Sequence, residues 1–153
     1  MDSHAPNEHH QRLARITGTW SGTEKMHPSP WIPEGAEATS TVTWRSDLSG
    51  FVLIGDYRQT MGDTVTYQGH GVYTIDPQSN EVVLHWFDTM GGQREEFRGS
   101  WDGDVLTIQS KNAMGHMRLR YDFSEDGRLL NSAEMSPDGE NWNRMFDGDL
   151  RRE

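Results

Sequence analysis

Hydrophobic and polar residues alternate with a period of two through most of this chain, and turn signals interrupt the alternation at regular intervals. The signals fall at Asp47-Leu48-Ser49-Gly50, Gly62-Asp63, Pro77-Gln78-Ser79-Asn80, Gly91-Gly92, Asp102-Gly103, Ala113-Met114, Asp126-Gly127 and Asp138-Gly139. Between them lie segments rich in Val, Thr, Tyr, Phe and Trp: 37–46, 51–61, 64–75, 81–90, 93–101, 104–112, 115–124, 128–136 and 141–150. An earlier strand from about Thr19 to Lys25 brings the number to ten. Short strands joined by tight turns predict an antiparallel meander. An open sheet of that size would leave two long edges, so the expected fold is all-β, a ten-stranded antiparallel up-and-down β-barrel over residues 18–152. Residues 1–17 form the lead-in. Its first eight residues read as disordered, and Glu8 to Ile16 as a short helix with Asn7 as N-cap and Gly18 as its stop. Gly18-Thr19-Trp20-Ser21-Gly22 opens the barrel, with Trp20 plugging its floor. Met26 to Gly35 holds three prolines in six residues and reads as an ordered loop.

Tight turns fix register, and register fixes faces. A two-residue turn at Gly91-Gly92 pairs Asp88 with Glu95, Trp86 with Phe97, Leu84 with Gly99 and Val82 with Trp101, all facing inward. Leu106, Ile108, Met117, Leu119, Tyr121 and Phe123 continue that face, while His85, His116, Arg118 and Arg120 point out. A tight turn at Asp138-Gly139 pairs Met135 with Trp142 and Ala133 with Arg144, which places Trp142, Arg144, Phe146 and Leu150 inside. The loop Pro77 to Asn80 pairs Gly71 with Trp86 and Gly69 with Asp88, and two glycines there imply open lumenal volume. Tyr67 and Tyr73 point inward. The strand 51–61 presents either Leu53, Gly55 and Tyr57 or Ile54, Asp56 and Arg58 to the lumen. Met61-Gly62, Met90-Gly91 and Met114-Gly115 lie at turns of one end, beside the Pro-rich loop, and suggest an adaptable mouth.

Composition narrows the function. At 153 residues the chain fits one domain with a real core. Only 33% of residues are hydrophobic, yet there are 6 Trp, 4 Tyr and 5 Phe, so a few large side chains fill that core. A formal charge of -10 argues against nucleic-acid binding. The absence of Cys excludes disulfides, thiolate catalysis and Cys-ligated metals. No apolar run reaches spanning length and no signal-peptide pattern is visible, so the expected location is the cytoplasm. His4, His9 and His10 sit in the polar lead-in as a solvated terminus, and no histidine set has metal-ligand spacing; neither metal nor cofactor is expected.

Asp88 and Glu95 are the sharpest chemical candidates. Two opposed inward carboxylates repel, so one should hold a proton near neutrality and serve as acid, base or ligand acceptor. Arg144 can instead neutralise them in a structural ion pair. Tyr67 lies beside Asp88 on the adjacent strand and can donate to a ligand.

Gly18-Thr19-Trp20-Ser21-Gly22 with its Pro-containing loop, and Trp86-Phe87-Asp88-Thr89-Met90-Gly91, resemble an uncharacterised bacterial family catalogued as a domain of unknown function. The likeness covers most of the chain from about Leu13. It implies a calycin-like, lipocalin-like barrel, with Asp88 inside a family-like motif. Nitrobindin-like haem barrels are similar in their Gly-x-Trp opening and ten-strand plan. Their iron is held by a His late in the chain, and Asn141 to Leu150 has none. Fatty-acid-binding proteins are similar in strand count and carry Arg-x-Tyr on the last strand. Arg144-Met145-Phe146 keeps the Arg but not the Tyr.

The leading expectation is lumenal binding of a small apolar or amphipathic molecule. Tyr67, Asp88, Glu95 and Arg144 would orient it, and Trp86, Phe97, Met117 and Trp142 would line its site. The alternatives are an acid/base enzyme (isomerase, cyclase or hydratase type) using Asp88 or Glu95, a haem-binding nitrobindin-like barrel, and a filled barrel acting in protein association as a homodimer.

Overall fold

Ten strands run in the order expected: β1 Gly18–Met26, β2 Ala36–Asp47, β3 Val52–Met61, β4 Thr64–Ile75, β5 Val82–Asp88, β6 Glu95–Asp102, β7 Val105–Asn112, β8 Gly115–Asp122, β9 Arg128–Ser136 and β10 Asn143–Arg152. The computed structural model describes residues 5–30 and 32–153. Each strand pairs antiparallel with its sequence neighbour, and β1 also pairs with β10, which closes the barrel. Closure leaves no sheet edge unpaired. His4 and Trp31 lie outside the described residues.

The helix α1, Glu8–Ala14, starts where Asn7 accepts from the backbone N–H of His9 and His10, and His10 answers with its own side chain in a capping box. Its Leu13, with Ile16 just beyond, is buried against the floor. Trp20 is 3% exposed, donates from Nε1 to the carbonyl of Ile16 at 3.0 Å, and meets Phe123 edge-on at 5.4 Å. Trp44 adds edge contacts to Trp20, Tyr73, Tyr121 and Phe123. The floor half of the barrel is therefore an aromatic plug.

The predicted alternation holds on β3, where Leu53, Gly55, Tyr57 and Gln59 face inward, and Leu53 pairs with Tyr73. Pairing of β4 with β5 has Gly69 opposite Asp88 and Gly71 opposite Trp86, as expected. Its consequence differs from the expectation. A Cβ on Gly69 would meet Trp86 Cζ2 at 2.2 Å, and one on Gly71 would meet Leu84 Cδ1 at 2.4 Å. The glycines make room for an indole laid flat on β4, so they do not open the lumen.

Two registers depart from the tight-turn expectation. In the β5–β6 hairpin Trp86 pairs with Glu95, Leu84 with Phe97 and Val82 with Gly99. Asp88 is thus not opposite Glu95. The Asp88 carbonyl accepts from Gly92 N–H and its carboxylate from Met90 N–H, so the turn spans more than Gly91-Gly92. The shift is by an even number of residues, which preserves the inward face. In the β9–β10 connection Asp138 accepts from the backbone of Glu140 and Asn141, which lengthens the loop. Pairing begins at Asn143 with Met135, sets Arg144 opposite Glu134, and breaks in a bulge before Phe146 pairs with Ala133. Phe146 and Leu150 face inward as expected, but Trp142 and Arg144 do not.

Candidate functional site

The mouth half of the lumen is built by one wall of polar aromatics and carboxylates. On β1, alternation from Trp20 carries Gly22, Glu24 and Met26 inward. Glu24 is 1% exposed. Its Oε1 accepts from the Tyr57 hydroxyl and its Oε2 from Gln59 Nε2 at 2.9 Å. Gln59 Oε1 in turn accepts from Thr66 Oγ1 at 3.1 Å. Next to this cluster, Tyr67 donates to Asp88 Oδ2 at 2.6 Å, and Trp86 Nε1 reaches the same oxygen at 2.9 Å. The Tyr57 ring joins the two clusters, edge-on to Tyr67 at 5.7 Å and tilted to Trp86 at 6.4 Å.

Electrostatics make both tyrosines obligate donors. Burial raises the Tyr57 phenol far above its ordinary value, and the Glu24 carboxylate beside it raises it further. Burial also raises Tyr67, reinforced by its hydrogen bond to Asp88. Deeper, burial raises Tyr73 and Tyr121, whose hydroxyls lie 3.2 Å apart.

The wall formed by β8 to β10 is mostly apolar and partly accessible. Inward-facing Met117, Leu119, Tyr121, Met135 and Phe146 on β8, β9 and β10 keep partial accessibility. Along β5 to β7 the wall is solid: Leu84, Phe97, Leu106 and Ile108 are at most 1% exposed. The more accessible inner wall is therefore that of β8–β10, across from Tyr57 and Tyr67 and next to Glu24, whose strand pairs with β10.

The predicted residues do not all come together. Tyr67, Trp86 and Asp88 form one hydrogen-bonded cluster. Met117 faces the lumen, and Phe97 is sealed into the core. Glu95 points inward but is held by Ser110 Oγ at 2.9 Å and Asn112 Nδ2 at 3.3 Å. An open depression of about 640 Å³ at the β5–β6 turn is lined by Asp88 and Glu95 together with outer-face residues such as Glu96, Arg98 and Lys111, and the two carboxylates are not paired across it. Arg144 and Trp142 are elsewhere. Arg144 pairs with Asp147 at 2.5 Å, and Trp142 lies under the Arg118 guanidinium at 4.0 Å with His116 edge-on. Both sit on the outer surface, so Arg144 does not neutralise the lumenal carboxylates. Among the described residues no Lys, Arg or His pairs with Glu24, Asp88 or Glu95; the ion pairs formed join outer-face, turn and helix residues.

Glu24, Tyr57 and Gln59 were not among the residues expected at the site. Counting β1 in twos from Trp20 reaches Glu24, and that alternation was the available signal. His27 pairs with Asp147, His70 with Asp56, and His85 contacts Arg94, all outside the lumen. None is placed to ligate a haem iron within the barrel. Among the described residues no three His, Asp or Glu side chains converge as metal ligands, and no helix is long and apolar enough to cross a membrane.

Comparison with solved structures returns the same barrel. Rv2717c from M. tuberculosis is similar with a TM-score of 0.71 and 18% identity, over 96% of this chain and 98% of that one. The S-type phycobiliprotein lyase CPES from Guillardia theta is similar with a TM-score of 0.64 and 9% identity, over 94% and 91%. At such identities the likeness is one of fold. Comparison with curated proteins returned no match. One family model matches residues 5–152, nearly the whole barrel and its helix, and by it the chain belongs to the family described as protein of unknown function DUF1579.

Proposed function

We propose that the barrel binds a small amphipathic molecule in the mouth half of its lumen. The observation that carries this reading is the division of that space. Tyr57, Tyr67 and Asp88 carry polar groups on one side, braced from behind by the buried Glu24 and Gln59, and Met117, Leu119 and Phe146 present apolar surface with accessible area on the other. A few converging polar groups in an otherwise apolar concavity is the usual composition of a ligand site. The similar barrel of a phycobiliprotein lyase supports a ligand-handling lumen at the level of fold only. Met90 and Met114, 81% and 83% exposed at the mouth turns, supply adaptable apolar contacts at the entrance. Tyr67, Trp86 and Asp88 orient the head group, and Met117 lines the tail. Phe97 backs the site without touching its contents, and Arg144 and Trp142 have no part in it.

The test is binding of the neutral fluorophore N-phenyl-1-naphthylamine. Wild-type protein should enhance its fluorescence saturably, and Leu119→Trp, which fills the open wall, should abolish the enhancement while near-ultraviolet circular dichroism still reports a folded barrel. Equal enhancement by Leu119→Trp would put the probe outside the lumen and contradict the reading. Native mass spectrometry of freshly purified protein then identifies any molecule retained.

A further inference from the structure

Resting on that lumenal reading, we infer that the ligand enters through the side wall, by a slot between β6 and β7 that a Glu95 clasp holds shut. Every strand has two neighbours, but one seam is shorter than the strands that form it. β6 spans Glu95–Asp102 and β7 spans Val105–Asn112, yet the two pair only from Arg98 with Gln109 to Asp102 with Val105. Continued toward the mouth, that register would set Phe97 opposite Ser110, Glu96 opposite Lys111 and Glu95 opposite Asn112, and none of these three pairs forms. Each lip keeps its other neighbour: Glu95 to Phe97 pair with β5, and Ser110 to Asn112 with β8. At Gly99 the two backbones are so close that a Cβ would meet the Thr107 carbonyl oxygen at 1.8 Å. A strand glycine at such an approach marks a bend, and two residues further on, at Phe97, the pairing has stopped.

The depression of about 640 Å³ lies at this split. Glu95, Glu96 and Arg98 line it from one lip, and Gln109 to Asn112 from the other. Among the described residues, the side-chain hydrogen bonds across the split are those of Glu95, whose Oε1 accepts from Ser110 Oγ at 2.9 Å and Asn112 Nδ2 at 3.3 Å. Parting the paired half of the seam breaks a backbone ladder. Parting this half breaks two side-chain hydrogen bonds, which makes it the low-cost place to open. The β6 lip also continues into a turn that packs on nothing. Gly91 and Gly92 take φ of +147° and +67°, and a Cβ built on either would meet no atom within 4 Å. Such a turn can absorb the swing of a lip. The slot leads to the proposed site, since Ser110 on its β7 lip pairs with Met117, the accessible inner residue on β8. Phe97, 1% exposed, closes the slot at its paired end.

Stopped-flow uptake of N-phenyl-1-naphthylamine tests this, and the absence of native Cys allows a clean reversible lock. Glu96→Cys with Lys111→Cys, oxidised across the lips, should slow uptake about tenfold or more, and reduction should restore the rate. The same lock in the paired half, Ser100→Cys with Thr107→Cys, should leave the rate unchanged. Ser110→Ala with Asn112→Ala undoes the clasp. It should speed uptake and release together by about threefold or more, the scale of one or two such bonds, with equilibrium affinity unchanged. Unchanged rates in both the oxidised lip lock and the alanine pair would place entry elsewhere on the rim: the side entrance falls and the lumenal reading stands. If wild-type protein takes up no probe, both fall.

Discussion

Gly69 shows how a missing side chain places a present one. The Trp86 indole occupies the volume a Cβ would take, and from there its Nε1 reaches Asp88 Oδ2. Gly69→Ala must push the ring off β4 and break that bond. Overpacking of this kind costs about 1–3 kcal/mol. A urea titration should show a lower midpoint with an unchanged slope; an unchanged midpoint would mean that the indole does not rest on Gly69. The pairing of Gly69 with Asp88 was legible in the sequence, because the Pro77–Asn80 loop length sets it. What the glycine accommodates was not, since a rotamer is decided by packing across the lumen. Glu24 was legible in principle from the β1 alternation. Against that, a carboxylate two residues from a Pro-rich loop reads as surface.

At the scale of elements, all ten strands and the helix were legible, because Gly, Asp, Asn and Pro punctuate the chain at each reversal. The two errors of register share a cause. Asp88 and Asp138 each cap backbone N–H groups of their own loop and lengthen it beyond the tight turn that a Gly-Gly or Asp-Gly pair suggests. At β5–β6 the slip is even and the faces survive. At β9–β10 it is odd until the bulge, so Arg144 and Trp142 are turned out. Asp138 also makes a pH prediction. Hydrogen bonds from the Asn141 and Glu140 backbone hold its carboxyl well below its ordinary value of 3.8. A depressed native value means that the unfolded chain binds the proton first, so the contribution is whole above that ordinary value and is lost as pH falls below it. Asp138→Ala should therefore lower stability at neutral pH, and the gap to wild type should narrow below about pH 4. A gap that stays constant into acid would mean that the caps do not depend on the charge.

As a whole molecule the protein is a cup. Its floor is closed by α1, Trp20 and Trp44, and its mouth is ringed by Met-bearing turns. Inside, packing is dense along β5–β7 and loose along β8–β10, facing a polar wall that no Lys or Arg among the described residues neutralises. Closure and overall faces follow from periodicity. The uneven filling does not, because it depends on how Trp20, Trp44, Trp86, Trp101 and their neighbours share one interior. The most direct measurement is the movement of tryptophan indole N–H resonances on titration with N-phenyl-1-naphthylamine. The Trp86 signal, at the polar wall, and the unpartnered Trp44 signal, below it, should shift saturably, while that of Trp142 on the outer surface stays fixed. A shift at Trp142 with Trp86 and Trp44 unmoved would place binding outside the barrel and contradict a lumenal site.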